Sequence, residues 1–500
     1  MNFDDLFEEA RKHPDARIAG VDLHGNTRDL PTAQVLAQAS DLARRLQASG
    51  LRKGMQVGLQ LANCHEYLVW DLACLCVGAV VHALPEELPV DKVAGIIGKH
   101  HAALWVCQKE ENFQGMKQRV AAADTELATF PVDTGATVLA DADVYSRVYS
   151  SGTSGYLKGL EISRRGTEYL VTDFIRDFGL CDTDSHLIFL PLSNYQQRMS
   201  VYGCLWAGAS FKVIHHTTVF QELGRYRPSF IVAPPTIYEN IHHLFGRGPD
   251  ARATLTAFFG GNIRFMITGM APIRKELLSA FNGHGLNLVE AYGVTETGMI
   301  AWNTVAQQRI GSVGRPIHPE HVHFSAESEI VIRRPYPLTK TYFDSAGDDR
   351  AATFQADGSI LTGDIGTLDA EGFLSLSGRK KEIIVTGGGA KFHPEELERV
   401  LLEIDGVKHA VVMLSQGDNR VVAVLVTADP EDAGTLARLD RAIAALNETL
   451  PSYQRIQRRV VSDAMPSIDN GMLTRNLKCD RRSVYRHFQA AIEGHQGSTV

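Results

Sequence analysis

A short run of small and hydroxyl residues followed by a lysine is the segment whose composition points most directly to chemistry. The run consists of Ser150, Ser151, Gly152, Thr153, Ser154 and Gly155, and Lys158 follows it. Glycines let backbone amides approach an anion closely, and amides and hydroxyls can then surround phosphate oxygens. The segment therefore predicts a phosphate-binding loop, although a serine- and glycine-rich linker is the simpler alternative. A Walker loop is excluded because GxxxxGK[ST] is absent.

Together with five other motifs in the same order, this loop resembles the [ST]GT[ST]GxPKG loop of AMP-forming adenylating enzymes. That family contains acyl-CoA and aryl-CoA synthetases, peptide-synthetase adenylation domains and luciferases. The other motifs are ITGMAP (267–272), AYGVTETG (291–298), RIGSVGRP (309–316), LTGDIG (361–366) and GRKKEII (378–384). The loop departs from the family at Leu157, where proline is usual, and we expect this change to affect the rate rather than the chemistry.

The resemblance implies nucleotide-binding roles for residues of these motifs. Tyr292 would stack on adenine, Thr295 would contact the α-phosphate, and Glu296 would hold Mg²⁺, which prefers oxygen ligands. Asp364 would accept both ribose hydroxyls, and Arg379 would lie near the ribose and phosphates. The remaining nucleotide contacts implied are Gly269, Met270, Ala271, Pro272 and Gly293. The cofactors implied are ATP, Mg²⁺ and coenzyme A.

The segment IDNGMLTRNLKCDRR (468–482) resembles the NGxLTPTxKxKR variant found in long-chain acyl-CoA synthetases. In that alignment Lys478 is the catalytic lysine, since the spacing of the competing Arg475 from the glycine does not fit. The resemblance further implies that Lys381 is a hinge about which a small domain rotates. After rotation, the thiol acceptor would face Gly387, Gly388 and Gly389.

The segment LPLSNYQQRMSVYG (190–203) resembles the stretch that lines the acid pocket in this family. It supplies Asn194 and Tyr195, and Met299 is a third candidate, although core packing explains Met299 equally well. No acidic residue lies between Ser193 and Arg198, so an α-amino acid is disfavoured. The polar side chains suit a hydroxylated or aryl acid, unless the two glutamines face solvent or a neighbouring strand. The residues of this segment do not indicate the chain length of the acid.

Short apolar runs that alternate with helical patterns must position these motifs, and they predict an α/β fold. Predicted strands cover 55–61, 80–84, 103–106, 187–190, 211–214, 230–233, 264–268 and 287–290, and predicted helices cover 65–79 and 273–281. Pro272 suits the first turn of the second helix.

The pattern of predicted helices and strands changes near residue 378. The pattern there predicts a helix opened by Pro394, a two-stranded pairing of 407–414 with 420–426, and a helix at 433–450. We therefore expect a large N-terminal multi-sheet α/β domain at 1–378 and a small mobile C-terminal α+β domain at 379–500, with the hinge near 381.

Composition limits the class of protein. The chain has 500 residues, 44% of them hydrophobic and 22% charged, which indicates a globular enzyme of at least two domains. Its formal net charge of -8 makes nucleic acid an unfavourable main partner. We expect no membrane span, since the most apolar stretch covers only about 13 residues. The N-terminus does not resemble a secretory signal, and the seven scattered cysteines are expected to be reduced thiols in a cytoplasmic protein.

These observations predict an ATP-dependent ligase that joins a carboxylic acid, fatty or aromatic, to CoA through an acyl-adenylate. Its partners would be the small-molecule acid, ATP and CoA, and a homodimer is left open. One alternative keeps the adenylation but transfers the acyl group to a separate carrier protein or an amine. A second alternative is an inactive, nucleotide-sensing relative, suggested by Leu157 and the irregular C-terminal motif.

Overall fold

The computed structural model describes residues 1–108, 119–151, 157–246, 248–344, 349–386, 388–467, 469–473 and 479–494. In these ranges the helices are α1 (Leu6–Arg11), α2 (Thr32–Ala48), α3 (His65–Val77), α4 (Val90–Lys99), α5 (Arg164–Phe178), α6 (Tyr195–Ala207), α7 (Val219–Tyr226), α8 (Pro235–Phe245), α9 (Ala251–Phe258), α10 (Lys275–Gly283), α11 (Asp349–Thr353), α12 (Pro394–Leu402), α13 (Ala433–Thr449) and α14 (Arg481–Ile492).

The strands of the first half of the chain are β1 (Arg17–Val21), β2 (Thr27–Pro31), β3 (Gln56–Gln60), β4 (Val80–Leu84), β5 (Leu104–Cys107), β6 (Arg119–Ala121), β7 (Val144–Ser151), β8 (Leu157–Ser163), β9 (Ser185–Ile188), β10 (Ser210–Val213) and β11 (Phe230–Ala233). Those of the second half are β12 (Phe265–Thr268), β13 (Leu288–Val294), β14 (Gly298–Trp302), β15 (Arg315–Pro316), β16 (Val322–Phe324), β17 (Glu329–Ile332), β18 (Thr339–Asp344), β19 (Ile360–Leu368), β20 (Leu374–Arg379), β21 (Ile384–Val385), β22 (Lys391–Phe392), β23 (His409–Leu414), β24 (Val421–Val426) and β25 (Arg458–Ser462).

Across the described ranges, the strands form two large sheets and three small ones. One large sheet has the order β15-β14-β13-β12-β11-β9-β10-β1-β2, and the other has the order β18-β8-β7-β4-β3-β5-β6. The small sheets are β16-β17-β19-β20, β21-β22 and β23-β24-β25. The phosphate-loop motif therefore lies on one large sheet, the adenine motifs lie on the other, and the LTGDIG motif lies on the first small sheet.

The two large sheets share one apolar core. The strands β3 and β4 are buried at every position, as expected for parallel strands covered on both faces. Helix α3 contacts β3 and β4 of one sheet and β1 of the other. Its side chains are buried around most of its circumference, including Tyr67 and Trp70, because a helix between two sheets has little surface left for water.

Most of the predicted elements are found. The strands at 80–84 and 230–233 agree with the prediction at both ends, and α3, α12, α13 and the antiparallel β23–β24 pair lie where they were expected. One prediction is wrong: Pro272 does not lie in the first turn of a helix. Helix α10 begins at Lys275 with Arg274 as its N-cap residue, so Pro272 lies in the preceding turn. An exposed proline fits there because it needs no amide hydrogen-bond acceptor.

The molecule has a large N-terminal multi-sheet domain and a smaller C-terminal domain. The core of the smaller domain is formed by α12, β23, β24 and α13, with Leu401, Val412, Leu425 and Leu439 buried among its residues. Helix α12 also packs on β20. The exact boundary at 378 and 379 stays a prediction.

All seven cysteines are free thiols. In the part of the chain that the structure describes, no helix combines the length and the apolar character that a membrane crossing requires.

Candidate active site

The predicted phosphate loop connects two strands of a hairpin. Strands β7 and β8 are antiparallel, with Ser150 opposite Lys158 and Ser151 opposite Leu157 at the open end. The intervening Gly152, Thr153, Ser154 and Gly155 lie outside the described residues. The hairpin register therefore brings the backbone of Lys158 opposite that of Ser150, where the predicted loop begins.

A buried polar network supports this hairpin. His82 of β4 is fully buried, with its ring nitrogens 2.7 Å from the Tyr149 hydroxyl and 2.9 Å from Gln56 Oε1. Arg147 of β7 pairs with Glu161 of β8 at 2.6 Å and lies over the Phe343 ring at 4.1 Å. Burial holds the pKa of His82 well below its usual value, so the imidazole is neutral and joins the strands as a hydrogen-bonding group.

Lys158 contacts one group on β18 and one on α11. Its Nζ lies 2.8 Å from Asp349 Oδ2 and 5.3 Å from the centre of the Tyr342 ring. The other oxygen of Asp349 lies 3.4 Å from Nζ of Lys381, the predicted hinge. The hydrogen bond from Lys158 is the main reason that the pKa of Asp349 is lowered. One carboxylate thus contacts both the lysine of the predicted phosphate loop and the lysine of the predicted hinge.

Three residues predicted to bind the nucleoside form one hydrogen-bonded group. Asp364 of β19 and Arg379 of β20 are opposite each other in the antiparallel register. Arg379 Nε lies 3.0 Å from Asp364 Oδ1, and the Tyr292 hydroxyl donates to Asp364 Oδ2 at 2.8 Å. Burial and the Asp364 charge raise the pKa of Tyr292 above its usual value, so the phenol remains a donor. The group joins β13 of a large sheet to the small sheet that carries Asp364.

Glycine allows the two adenine motifs to approach each other. A Cβ on Gly269 would lie 2.8 Å from the Ala291 carbonyl oxygen, and one on Gly293 would lie 2.4 Å from the Gly298 carbonyl oxygen. Met270 has a φ of 73°, a left-handed conformation that is rare for a side chain of this size. Ala271 is half-buried and Pro272 is exposed in the same turn. The turn at 269–272 is therefore pressed against the strand that carries Tyr292.

Glu296 and Thr295 follow β13 in the turn that leads to β14. Glu296 Oε1 accepts a hydrogen bond from the Tyr342 hydroxyl at 2.6 Å, and its carbonyl oxygen accepts from the Thr339 hydroxyl, also at 2.6 Å. Both residues are half-buried. The carboxylate keeps lone pairs for a further ligand, and the donor atoms around it are oxygens, which fits Mg²⁺.

Arg334 supports the same turn from beneath. Its guanidinium donates to the carbonyl oxygen of Thr297 at 2.7 Å and also to that of Met299. Burial lowers the pKa of Arg334 to about 10, and the group still carries its charge at neutral pH. Both acceptors are backbone carbonyl oxygens, so the arginine holds the backbone of this turn and leaves the Glu296 and Met299 side chains out of these bonds.

The predicted acyl-pocket residues meet where α6 begins. Asn194 is the N-cap residue of α6, but its side chain makes no capping hydrogen bond. The Tyr195 ring lies 3.8 Å from where a Cβ on Gly298 would be, so it is next to Met299 on β14. Gln197 is buried and Gln196 is half-buried, so the alternative that both glutamines face solvent does not hold for Gln197.

Arg198 of α6 does not belong to this pocket. It is buried and pairs with the buried Asp71 of α3 at 2.7 Å. The Tyr202 hydroxyl also donates to Asp71, at 2.7 Å. The pair fixes α6 against α3 and so positions the first residues of α6.

The predicted C-terminal residues lie in three places. Lys381 is exposed in a 3₁₀ turn (Lys380–Glu382) directly after β20. Gly388 and Gly389 are exposed at the tip of the β21–β22 hairpin with nothing within 4 Å of either Cβ position. Gly387 and Lys478 lie outside the described residues.

The residues that flank Lys478 are nevertheless firmly held. Leu473 and Cys479 pair in an antiparallel bridge, and burial raises the pKa of the Cys479 thiol to about 12, which disfavours a nucleophilic role. Arg481 forms a two-bond pair with Glu398 and lies 3.0 Å from Glu382 Oε2. The described residues on both sides of 474–478, the range that contains the predicted catalytic lysine, are therefore held in place.

Four supporting residues were not found by sequence reasoning: Tyr342, Asp349, Arg334 and Thr339. Arg334 lies in the VIRRP stretch (331–335) and the other three follow it, in a region that carries no motif used above. The alternation in TKTYFD (339–344) is the one local signal that a strand lies there. Nothing in that alternation indicates which partners the side chains would meet.

The chain belongs to the AMP-binding enzyme family, whose model matches residues 6–335; the model of the AMP-binding enzyme C-terminal domain matches residues 381–496. Among its relatives is the long-chain-fatty-acid–CoA ligase FadD15 of Mycobacterium bovis, 24% identical over 98% of this chain and 96% of the relative. The 2-succinylbenzoate–CoA ligase of Oceanobacillus iheyensis is 24% identical over 89% of this chain and 93% of the relative.

The fold is similar to that of solved members. The o-succinylbenzoate CoA synthetase (MenE) from Bacillus subtilis, in complex with the acyl-adenylate intermediate OSB-AMP, superposes with a TM-score of 0.76 at 22% identity. The match covers 97% of each chain. The predicted family and the predicted multi-sheet α/β architecture with a smaller C-terminal domain are both confirmed.

Proposed function

We propose that the protein is an ATP-dependent carboxylic acid–CoA ligase. In the first step a carboxylate oxygen attacks the α-phosphorus of ATP, forming an acyl-adenylate and releasing pyrophosphate. In the second step the sulfur of CoA attacks the acyl carbon, forming a thioester and releasing AMP. The observation that carries the proposal is the hydrogen-bonded group of Tyr292, Asp364 and Arg379, because it gathers the family's nucleoside motifs from three separate strands.

Asp364 is suited to bind the ribose. The Tyr292 hydroxyl donates to one of its oxygens and Arg379 forms an ion pair with the other, which orients the carboxylate plane. A carboxylate has about four lone-pair directions, so the group has the chemistry to accept ribose hydroxyls. We assign the adenine contacts to Tyr292, Gly293 and the 269–272 turn, which lie next to this carboxylate.

The phosphates need cations because the first step brings two anions together. We assign Lys158 and the 150–155 loop to the β- and γ-phosphates, Thr295 to the α-phosphate, and Lys478 to the oxygens of the acid and the adenylate. Glu296 would hold Mg²⁺, which supplies charge neutralisation at the phosphates. No general base is required, since a carboxylic acid is already ionised at neutral pH.

The second step needs a different surface of the C-terminal domain. We propose that this domain, residues 379–500, rotates about Lys381 and replaces the Lys478 segment with the 387–389 glycines, of which the described Gly388 and Gly389 are exposed. The tip suits this role because Gly388 and Gly389 leave open space for a pantetheine chain. A hinge needs few residues that change their backbone angles, and Lys381 follows directly after β20.

The acid is proposed to be fatty or aromatic. The pocket combines the buried ring of Tyr195, the thioether of Met299 and the amide of Asn194, which makes no capping hydrogen bond to α6. The segment from Ser193 to Arg198 carries no carboxylate that would hold an ammonium group, which argues against activation of an amino acid. The curated relatives described above carry the names of fatty-acid and aromatic-acid ligases. We further propose a cytoplasmic location, and we leave a carrier protein in trans and a homodimer to experiment.

The deciding experiment measures pyrophosphate release against a panel of fatty and aromatic acids, with and without CoA. The proposal expects acid-dependent pyrophosphate release, and it expects AMP and a thioester only with CoA. Asp364→Asn should raise the KM for ATP about tenfold or more, since a charged hydrogen-bond acceptor is lost. Exposed Glu371→Gln is the control. Pyrophosphate release that no acid stimulates would contradict the ligase and support the nucleotide-sensing alternative.

A further inference from the structure

Two histidines and a glutamate converge at a 3₁₀ turn (Pro319–His321) that belongs to neither the nucleotide site nor the acyl pocket. We propose that His318, Glu320 and His321 form a binding site for a divalent transition-metal ion of the zinc type. One donor atom of each residue lies within 4.8 Å of the other two. Two imidazoles and one carboxylate are a ligand set that zinc accepts, with water completing the coordination.

The separations between the donor atoms are close to those a bound ion requires. Glu320 Oε1 lies 3.4 Å from His318 Nδ1 and 3.9 Å from His321 Nε2. Ligand bonds of about 2.0–2.1 Å at tetrahedral angles place donor atoms about 3.3 Å apart. The side chain of Glu320 is 64% exposed, so it can adjust its distance to each histidine without disturbing the core. The two histidine nitrogens lie within 4.8 Å of each other.

A buried carboxylate holds the first histidine in the orientation a ligand needs. His318 Nε2 lies 2.9 Å from Oδ2 of Asp173, whose side chain is 3% exposed. If Nε2 carries the proton, Nδ1 has a lone pair that points toward Glu320. Histidine ligands commonly donate their second ring N–H to a carboxylate in this way. The Tyr169 ring stacks on His318 at 4.8 Å between centroids and further limits rotation of the imidazole.

The charges around the cluster are balanced before any ion binds. Glu320 and Asp173 supply two carboxylates, and two guanidiniums lie nearby: Arg334, and Arg176, whose Nη1 is 2.8 Å from Asp173 Oδ1. The Tyr169 hydroxyl is 3.3 Å from His321 Nε2, a long hydrogen bond that a metal ion can displace at small cost.

Binding would join two separate parts of the N-terminal domain. The turn that holds His318 and His321 leads into β16, whereas Asp173 and Tyr169 lie on α5. An ion at this position would bring the turn and the helix together through Asp173 and the ligated His318. We therefore expect the metal to raise the temperature of unfolding, since it binds the native chain and not the unfolded one.

The test is metal binding by the purified, tag-free chain after treatment with a chelator. Titration with Co²⁺ should saturate at one ion per chain and produce visible d–d absorption without a thiolate-to-cobalt charge-transfer band. Added Zn²⁺ should displace the Co²⁺. His318→Ala and His321→Ala should each weaken binding at least tenfold, and Asp173→Asn should weaken it about tenfold although it is no ligand.

Matched variants exclude less specific explanations. His323→Ala removes a neighbouring exposed histidine and should leave the affinity unchanged. Tyr169→Phe should leave it unchanged or tighter. Glu320→Gln changes an exposed side chain, so its expected loss of affinity cannot come from misfolding; circular dichroism checks the other variants. A thiolate band, an unchanged affinity in the His318→Ala/His321→Ala double variant, or an equal loss in His323→Ala would overturn the proposal.

Discussion

Asp349 forms an ion pair with Lys158 in which Oδ2 and Nζ are 2.8 Å apart. Lys158 is the lysine assigned to the ATP phosphates, and it is already bound to an anion within the chain. Asp349 also lies 3.4 Å from Lys381 Nζ, so the carboxylate faces the predicted hinge. Phosphate oxygens that approach Lys158 must therefore compete with Asp349, and the carboxylate they displace remains beside Lys381.

The competition predicts the effect of neutralising Asp349. Asp349→Asn removes the charge that holds Lys158, so we expect ATP to bind about two- to tenfold more tightly, which corresponds to about 0.4–1.4 kcal/mol. Isothermal titration calorimetry with ATP measures the change. Asp344→Asn is the matched control, because Asp344 ends β18 and pairs with Lys99 instead. Weaker ATP binding in Asp349→Asn would show that the carboxylate supports the site rather than competing for it.

Lys381→Pro should separate the two half-reactions. Proline fixes φ near about -65°, whereas a hinge residue must change its backbone angles between the two orientations of the C-terminal domain. We expect acyl-adenylate formation to persist and CoA thioester formation to fall strongly. Pyrophosphate exchange and thioester formation are measured on the same preparation, with Lys380→Pro as the neighbouring control. Thioester formation at the wild-type rate would move the hinge, and with it the domain boundary, away from 381.

Lys478→Ala should abolish adenylation but spare thioester formation from a supplied acyl-adenylate. The reason is that the Lys478 segment faces the nucleotide in only one of the two proposed orientations. Arg475→Ala, three residues earlier, is the control and should retain both activities. Thermal unfolding checks that Arg481 still anchors the segment. Equal losses in both half-reactions would contradict the assignment of Lys478 to the first step.

Glu290→Gln should change how stability depends on pH. Burial raises the pKa of Glu290 to about 7, against the attraction of Arg399 and Lys275. The protonated form is therefore favoured in the folded chain. Its stabilising contribution is complete below the unfolded pKa of about 4.3 and is lost as pH rises through about 7, by at most about 3 kcal/mol.

The difference in unfolding temperature between Glu290→Gln and the wild type measures this contribution. The variant should gain stability relative to the wild type as pH rises from about 5 to 8. Exposed Glu276→Gln on α10 is the control and should show a constant difference. A constant difference for Glu290→Gln as well would mean that Glu290 titrates at its ordinary pKa in the folded chain.

Arg198→Met should destabilise the large domain. The substitution leaves the carboxylate of Asp71 buried without its ion-pair partner, a loss of about 3–5 kcal/mol in the free energy of unfolding. Arg165→Met on the exposed surface of α5 is the control. The Arg198→Met/Asp71→Leu double variant should recover much of the loss, because a matched apolar pair leaves no buried charge. Chemical unfolding followed by tryptophan fluorescence measures all three variants.

The sequence by itself determined the family, the order of the motifs and most of the buried strands. Runs such as VVHAL in β4 and FIVA in β11 are apolar at nearly every position, so local composition alone indicates buried strands. The nucleotide motifs could be recognised because few residue types can replace those at their key positions. Glycine is needed where two backbone segments approach closely, and a carboxylate is needed where ribose hydroxyls are expected to bind. Gly269 and Gly293 show the packing behind this restriction.

Only the tertiary structure decided which side chains meet across long separations in the chain. Asp364 and Tyr292 are 72 residues apart, yet a hydrogen bond between different sheets joins them. The position of Tyr342 likewise depends on β18 pairing with β8. Ion pairs and hydrogen bonds act over a few ångströms and carry no periodic signal, so the sequence could not reveal them. The start of α10 at Lys275 is also a tertiary feature, because the 269–272 turn packs against β13 and Pro272 belongs to that turn and not to the helix.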